Sequence, residues 1–120
     1  MGCQDIEVIR EAADAAGLRS FRADAISSAG SIIDQIFESI AKSGLVVADL
    51  TGRNQNVMYE LGLANAMGKD TVLLSQEIDD VPFDVRSQRV LTYKPSLKSM
   101  RELRDRLIDA FRHYRAKATI

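Results

Sequence analysis

Asp49 and Glu60 are the residues whose type and placement most directly suggest chemistry. Asp49 closes the short apolar run Leu45-Val46-Val47-Ala48, and Glu60 follows after a turn and within about one turn of a helix start. In a parallel sheet the carboxyl ends of the strands share one edge, so both acids would face one crevice. Helix N–H groups and the helix dipole there favour negative charge, on Glu60 or on a substrate phosphate. Two carboxylates at short range suffice to cleave a glycosidic bond. One attacks the anomeric carbon or stabilises its cation, and the other moves protons. A ribosyl or deoxyribosyl N-glycoside passes through a similar sugar cation. The plainer alternative is that Asp49 merely ends a strand and Glu60 complements a dipole, and spacing alone leaves both open.

The elements that must position these acids are marked by regular punctuation. Ile6, Ile9, Ala13 and Ala16 keep helical spacing over Asp5–Ala16, and Gly17 follows where a left-handed residue is wanted. Leu18–Arg22 alternates as a short strand would, and Asp24–Gly30 reads as loop. Ser31 and Asp34 open a second helix with Ile32, Ile33, Ile36, Phe37 and Ile40 on its buried side, ending at Gly44. Leu45–Leu50 is too short for a helix and suits a parallel strand covered on both faces. After the turn Thr51–Gln55, Asn56 is the expected cap of a third helix that Gly68 ends. Thr71–Leu74 and Gln88–Tyr93 read as strands, separated by a loop containing Asp79–Asp84. Ser99 with Glu102 forms a capping box before Met100, Leu103, Leu107, Ile108 and Phe111. Alternating helices and strands imply an α/β fold with helices on both faces of a parallel sheet.

Composition bounds the rest. At 120 residues the chain is read as a single domain over 1–120, long enough for one core without staples. Hydrophobic residues at 46% and charged residues at 28% fit a folded globular protein rather than a disordered one. No apolar run approaches a membrane span, so no membrane partner is expected. The single cysteine, Cys3, and the absence of a signal-like leader point to a reducing cytoplasm. One histidine and one cysteine give no basis for a structural zinc site, so no metal is expected. The net charge is −1, yet residues 98–120 carry seven Lys and Arg against three Asp and Glu. Those cations alternate with acids around an apolar stripe, which reads as a solvated helix face, so a nucleic-acid partner is not expected.

The segment Leu45 to Lys69, with its core Asp49-Leu50-Thr51-Gly52-Arg53-Asn54-Gln55-Asn56-Val57-Met58-Tyr59-Glu60-Leu61-Gly62, resembles the signature of bacterial nucleoside 2-deoxyribosyltransferase-like and TIR-like domains. A weaker resemblance extends from about Ile9 through Tyr93. It implies a flavodoxin-like, doubly wound parallel sheet and places Glu60 at the family's catalytic glutamate. That residue attacks the sugar in the transferases, which pass it to a second base, and supports cleavage of the nicotinamide bond of NAD in catalytic TIR domains. The implied ligand is a nucleoside or nucleotide, with NAD as a possible substrate and no resident cofactor. Asp49 accompanies Glu60 as the second catalytic candidate, and Tyr59, Asn56, Arg53 and Asn54 are the candidate substrate contacts. The transferase motif often carries an acid where this chain has Asn54, which favours a leaving group already cationic, as nicotinamide is. Relatives also usually begin with an apolar strand, and this sequence starts at the helix that would follow it. A sheet lacking that strand exposes an edge beside Val46 and Val47, and a homo-oligomer is expected to cover it. The alternative is a non-catalytic nucleotide-binding or oligomerising signalling module.

Among other residues, His113 reads as a surface residue, Met58 and Met67 as core, and Arg53 and Lys69 as phosphate contacts or, for Lys69, a helix C-terminal cation. Phe83 beside Pro82 reads as a lid or a loop anchor.

Overall fold

Apolar runs of strand length alternate with helix-period stretches, and the computed structural model turns them into four helices and three strands among its described residues, which are 3–20, 32–82, 84 and 89–118. Helix α1 spans Cys3–Ala15, α2 Ile32–Lys42, α3 Gln55–Ala66 and α4 Leu97–Ala118. Strands β1 (Leu45–Asp49), β2 (Asp70–Ser75) and β3 (Arg89–Thr92) form an all-parallel sheet in the order β1-β2-β3. In its register Val47 pairs with Val72 and Leu74 with Leu91.

Side chains alternate across each strand, and the sheet therefore feeds two cores. Val72, Leu74, Leu91 and Tyr93 point to one face, where they meet Ala12, Ala13 and Ala16 of α1 and Met100, Leu103, Leu107 and Phe111 of α4. Ala48, Leu50 and Leu73 point to the other, where Leu61 of α3 and Val81 close over them. Three small alanines on the inward stripe of α1 let it approach α4 closely. Leu103 and Leu107 are completely buried, and truncating such a leucine to alanine costs about 2–5 kcal/mol.

The helix ends explain where the chain turns. Gly17 stands at φ +77, the Leu18 N–H reaches the Ala13 carbonyl at 2.8 Å and the Gly17 N–H reaches that of Asp14 at 3.1 Å. These two bonds satisfy carbonyls the helix leaves over. Gly68, at φ +70, ends α3 in the same way. The Lys69 Nζ donates to the Ala41 carbonyl, at the end of α2.

Four sequence expectations change. Leu18–Ser20 follows α1 without strand structure, and the remainder of the expected strand, Phe21 and Arg22, lies outside the described residues with the loop Asp24–Gly30. Phe37, expected on the buried side of α2, is 52% exposed, whereas Ile40 is buried; the side chains of Ile32, Ile33 and Ile36 lie outside the described residues. The third helix is capped by Asn54 rather than Asn56. The last helix begins two residues before Ser99: Ser96 Oγ accepts the Ser99 N–H at 3.2 Å and Ser99 Oγ accepts the Lys94 N–H at 2.7 Å. Ser99 thus sits inside the first turn, and Glu102 takes no part in that cap. Phe83 lies outside the described residues.

The basic stretch of α4 is largely tied back to its own fold. Arg106 donates to the Thr92 carbonyl, Arg115 to that of Ala16, Arg104 faces Glu11 and Lys117 faces Asp70. His113 is exposed, as expected. No helix among the described residues is long and apolar enough to cross a membrane.

The two kinds of glycine separate cleanly in a stability measurement. An alanine at Gly17 would have to adopt left-handed backbone, and its Cβ would clash with the Arg115 guanidinium that holds the Ala16 carbonyl, whereas a Cβ at Gly62 of α3 meets open space. Urea unfolding is expected to show Gly17→Ala destabilised by about 1–2 kcal/mol and Gly62→Ala stabilised by about 0.5–1 kcal/mol.

Candidate functional site

A buried carboxylate at the end of a strand has little water to solvate it and must find donors. Asp49, 6% exposed, finds three. Its Oδ1 accepts the Thr51 N–H at 3.0 Å and the Thr51 hydroxyl at 2.6 Å, and its Oδ2 accepts the Tyr93 hydroxyl at 2.5 Å. The Thr51 oxygen in turn accepts the Gln76 N–H at 3.0 Å. Thr51 follows β1, Gln76 follows β2 and Tyr93 follows β3, so this network joins the carboxyl ends of all three strands.

The turn after β1 is held from its other side as well. The Arg53 N–H closes on the Leu50 carbonyl at 2.9 Å, with Gly52 at φ +75 and Arg53 at φ +56. A left-handed arginine is costly unless its surroundings hold it. Here Asp80 accepts the Gly52 N–H at 2.9 Å and pairs with Arg53 Nε at 3.5 Å, while Arg53 Nη2 donates to the Asp79 carbonyl at 2.7 Å. The turn over Ile78–Asp80 is therefore a clamp on the turn over Thr51–Arg53.

Asn54 then starts α3. Its Oδ1 accepts the N–H groups of Asn56 at 2.9 Å and Val57 at 3.3 Å. Those are donors that a phosphate at this helix end would otherwise use. Glu60 is the sixth residue of α3, in its second turn and beyond the reach of a dipole-complementing role, and is half-buried. Asn56, Tyr59, Glu60 and Leu63 recur at helical spacing, so they share one stripe beside the buried Leu61 and Ala64. Tyr59 is 50% exposed and Asn56 is exposed.

The six candidate residues thus divide into two groups. Asn56, Tyr59 and Glu60 come together on one stripe of α3, while Asp49, Arg53 and Asn54 build the turn that sets the helix in place. The expectation that Asp49 and Glu60 face one crevice is not met. Asp49 points with Tyr93 toward the α1 and α4 layer, and α3 packs on the opposite face of the sheet. Sequence reasoning missed Thr51, Gln76, Asp80 and Tyr93. Thr51 had a signal, because a hydroxyl two residues after an Asp is a common local acceptor and donor pairing. Gln76 and Asp80 had none, since their partners lie 25 and 28 residues away.

No family model, no curated protein and no solved structure matches this chain. Among the described residues no cluster of three His, Cys, Asp or Glu could hold a metal ion.

The assignment of the helix cap is directly testable. Asn54→Ala removes the acceptor of two N–H groups and is expected to lower unfolding stability by about 1 kcal/mol. Asn56→Ala removes no side-chain cap and is expected to change stability by less than about 0.5 kcal/mol. Chemical denaturation of both variants checks the order.

Proposed function

We propose that this protein cleaves the N-glycosidic bond of a nucleoside or nucleotide, with Glu60 as the reacting carboxylate. The observation that carries the reading is the placement of Glu60, half-buried in the second turn of α3 on a stripe with Asn56 and Tyr59. The dipole role that would explain a glutamate in the first turn does not apply there. The resemblance of the Leu45 to Lys69 segment to nucleoside 2-deoxyribosyltransferase-like and TIR-like domains supports the same residue. In this reading the parallel sheet is part of a flavodoxin-like, doubly wound fold.

The chemistry follows from the groups at hand. The Glu60 carboxylate approaches C1′ of the sugar as the bond from C1′ to the base nitrogen breaks, and the bonding pair leaves with the base. The carboxylate either stabilises the sugar cation or forms an ester with it, and water or a second base then accepts the sugar. A neutral base would need a proton on departure. Asp49 is buried in its own network, and Asn54 stands where the transferases often have an acid, so neither serves as that donor. Nicotinamide leaves NAD as a neutral molecule without one, which makes NAD the favoured substrate of this reading. Asn56 and Tyr59 contact the substrate, and Arg53 shapes the turn from its pair with Asp80.

The second reading, a non-catalytic nucleotide-binding or oligomerising module, draws on the same engagement of Asp49, which leaves one carboxylate where glycosidases use two. The two readings part on Glu60→Gln, which keeps volume and hydrogen bonding but removes the charge. Chromatography of bases released from NAD, deoxynucleosides and deoxynucleotides is expected to show a fall of at least about 100-fold, or about 2.7 kcal/mol. Binding that persists in the variant with no base released by the parent would establish the module instead.

The assembly is part of the same proposal. The Leu50 N–H donates inward to the Leu74 carbonyl, so the backbone groups of Leu45, Val47 and Asp49 face away from β2. A second copy of the chain covers this edge in the proposed homo-oligomer. Light scattering is expected to give a mass above the 13.3 kDa monomer at micromolar concentration. A stable monomer with slow amide exchange throughout Leu45–Leu50 would contradict it.

A further inference from the structure

The opposite edge of the sheet carries a different surface. Among the described residues β3 pairs with β2 alone. The Tyr93 N–H donates to the Ser75 carbonyl at 3.2 Å, so the backbone groups of Leu91 and Arg89 also face β2, and those of Val90 and Thr92 face outward. The Arg106 guanidinium confirms this parity by donating to the outward Thr92 carbonyl at 3.0 Å. The N–H and C=O of Val90 and the N–H of Thr92 are left along the edge.

Beside that edge runs a groove of about 370 Å³ between β3 and α4, lined by Arg89, Leu91, Arg106, Asp109, Ala110 and His113. Leu91 and Ala110 are its apolar, buried floor. Arg106 marks the end near Thr92, and Arg89 and His113 belong to the other end. The two walls match in length: the seven helical steps from Arg106 to His113 rise about 10.5 Å, and the three strand steps from Arg89 to Thr92 span about 10 Å. Three of the four charged or titratable side chains are basic. Among the described residues Arg89 and His113 enter no ion pair or hydrogen bond.

We propose that the open edge of β3 and the flank of α4 form a docking groove for an acidic, extended peptide segment of a partner protein. The edge supplies main-chain donors and acceptors at the spacing of an extended chain, as when a peptide adds a strand beside a helix. The apolar floor takes an aliphatic side chain, and Arg89, Arg106 and His113 take carboxylates. A nucleic-acid strand would match the charge but not the ladder of backbone groups around Val90. This site lies apart from Glu60 and does not depend on the glycosidic-bond reading.

The test uses the full chain and fluorescein-labelled, end-blocked octapeptides. The acidic probe repeats Glu-Glu-Val-Val twice, so that each face of the extended peptide carries both residue types. One control replaces its glutamates with lysine and another methylates every backbone nitrogen, so that neither edge of the peptide can donate. Fluorescence anisotropy is expected to show saturable binding of the acidic probe, weakened at least about 10-fold in both controls. The exposed substitutions Arg89→Glu and His113→Glu together are expected to weaken it by a similar factor, with an unchanged circular dichroism spectrum. Hydrogen exchange is expected to slow at the Val90 amide on binding and to stay unchanged at Leu91. Absence of saturable binding, equal binding of the lysine probe, or equal binding of the methylated probe would overturn the proposal. So would self-association, seen by sedimentation, that the charge reversal abolishes, since a second copy would then be the occupant. The methylated probe decides the matter even if the double variant fails to fold.

Discussion

The Asp49 carboxylate is the constraint around which the carboxyl edge of this sheet is organised. It is buried, it accepts from Thr51 twice and from Tyr93 once, and through Thr51 it reaches Gln76. A buried carboxylate with its donors in place holds firmly, and one deprived of a donor is costly, because hydrogen bonds to charged groups contribute about 1.5–3 kcal/mol each. Strands that pair only through backbone bonds fix register but not the direction of the loops that leave them. Here a side-chain network fixes those loops.

From that point the structure runs outward in a short chain of dependence. Thr51 begins the turn, Gly52 and Arg53 carry it through left-handed backbone, and Asp80 clamps both from the next loop. Asn54 then satisfies the first N–H groups of α3. The helix emerges with Leu61 and Ala64 against the sheet and with Asn56, Tyr59 and Glu60 on the adjoining stripe. The two acids of the motif therefore have different duties: Asp49 supports the turn from within one core, and Glu60 stands on the helix over the other.

Much of this architecture was legible in the sequence, for physical reasons that differ by element. Leu45–Leu50 and Thr71–Leu74 are apolar runs too short for helices, and α4 carries an unbroken stripe from Met100 to Phe111, so their type followed from periodicity while their ends did not. Gly17 and Gly68 marked helix ends because left-handed backbone is cheap only for glycine. Caps were harder, since Asn54 and Asn56, or Ser96 and Ser99, are equivalent in composition and only backbone geometry chooses between them. The site was legible as a segment but not as a geometry. Spacing placed Asp49 and Glu60 near one another along the chain, yet the alternation of β1 sends the Asp49 side chain to the face opposite α3. Tyr93, 44 residues away, was invisible as its partner.

If Asp49 holds the strand ends together, its bond with Tyr93 is an energetic coupling and not merely a proximity. A double-mutant cycle with Asp49→Asn, Tyr93→Phe and the double variant, each unfolded in urea, isolates that coupling. A coupling of about 1–3 kcal/mol is the expected result. Additivity of the two substitutions within about 0.3 kcal/mol would contradict it, and with it the claim that one buried carboxylate holds the strand ends from which the Glu60 helix is launched.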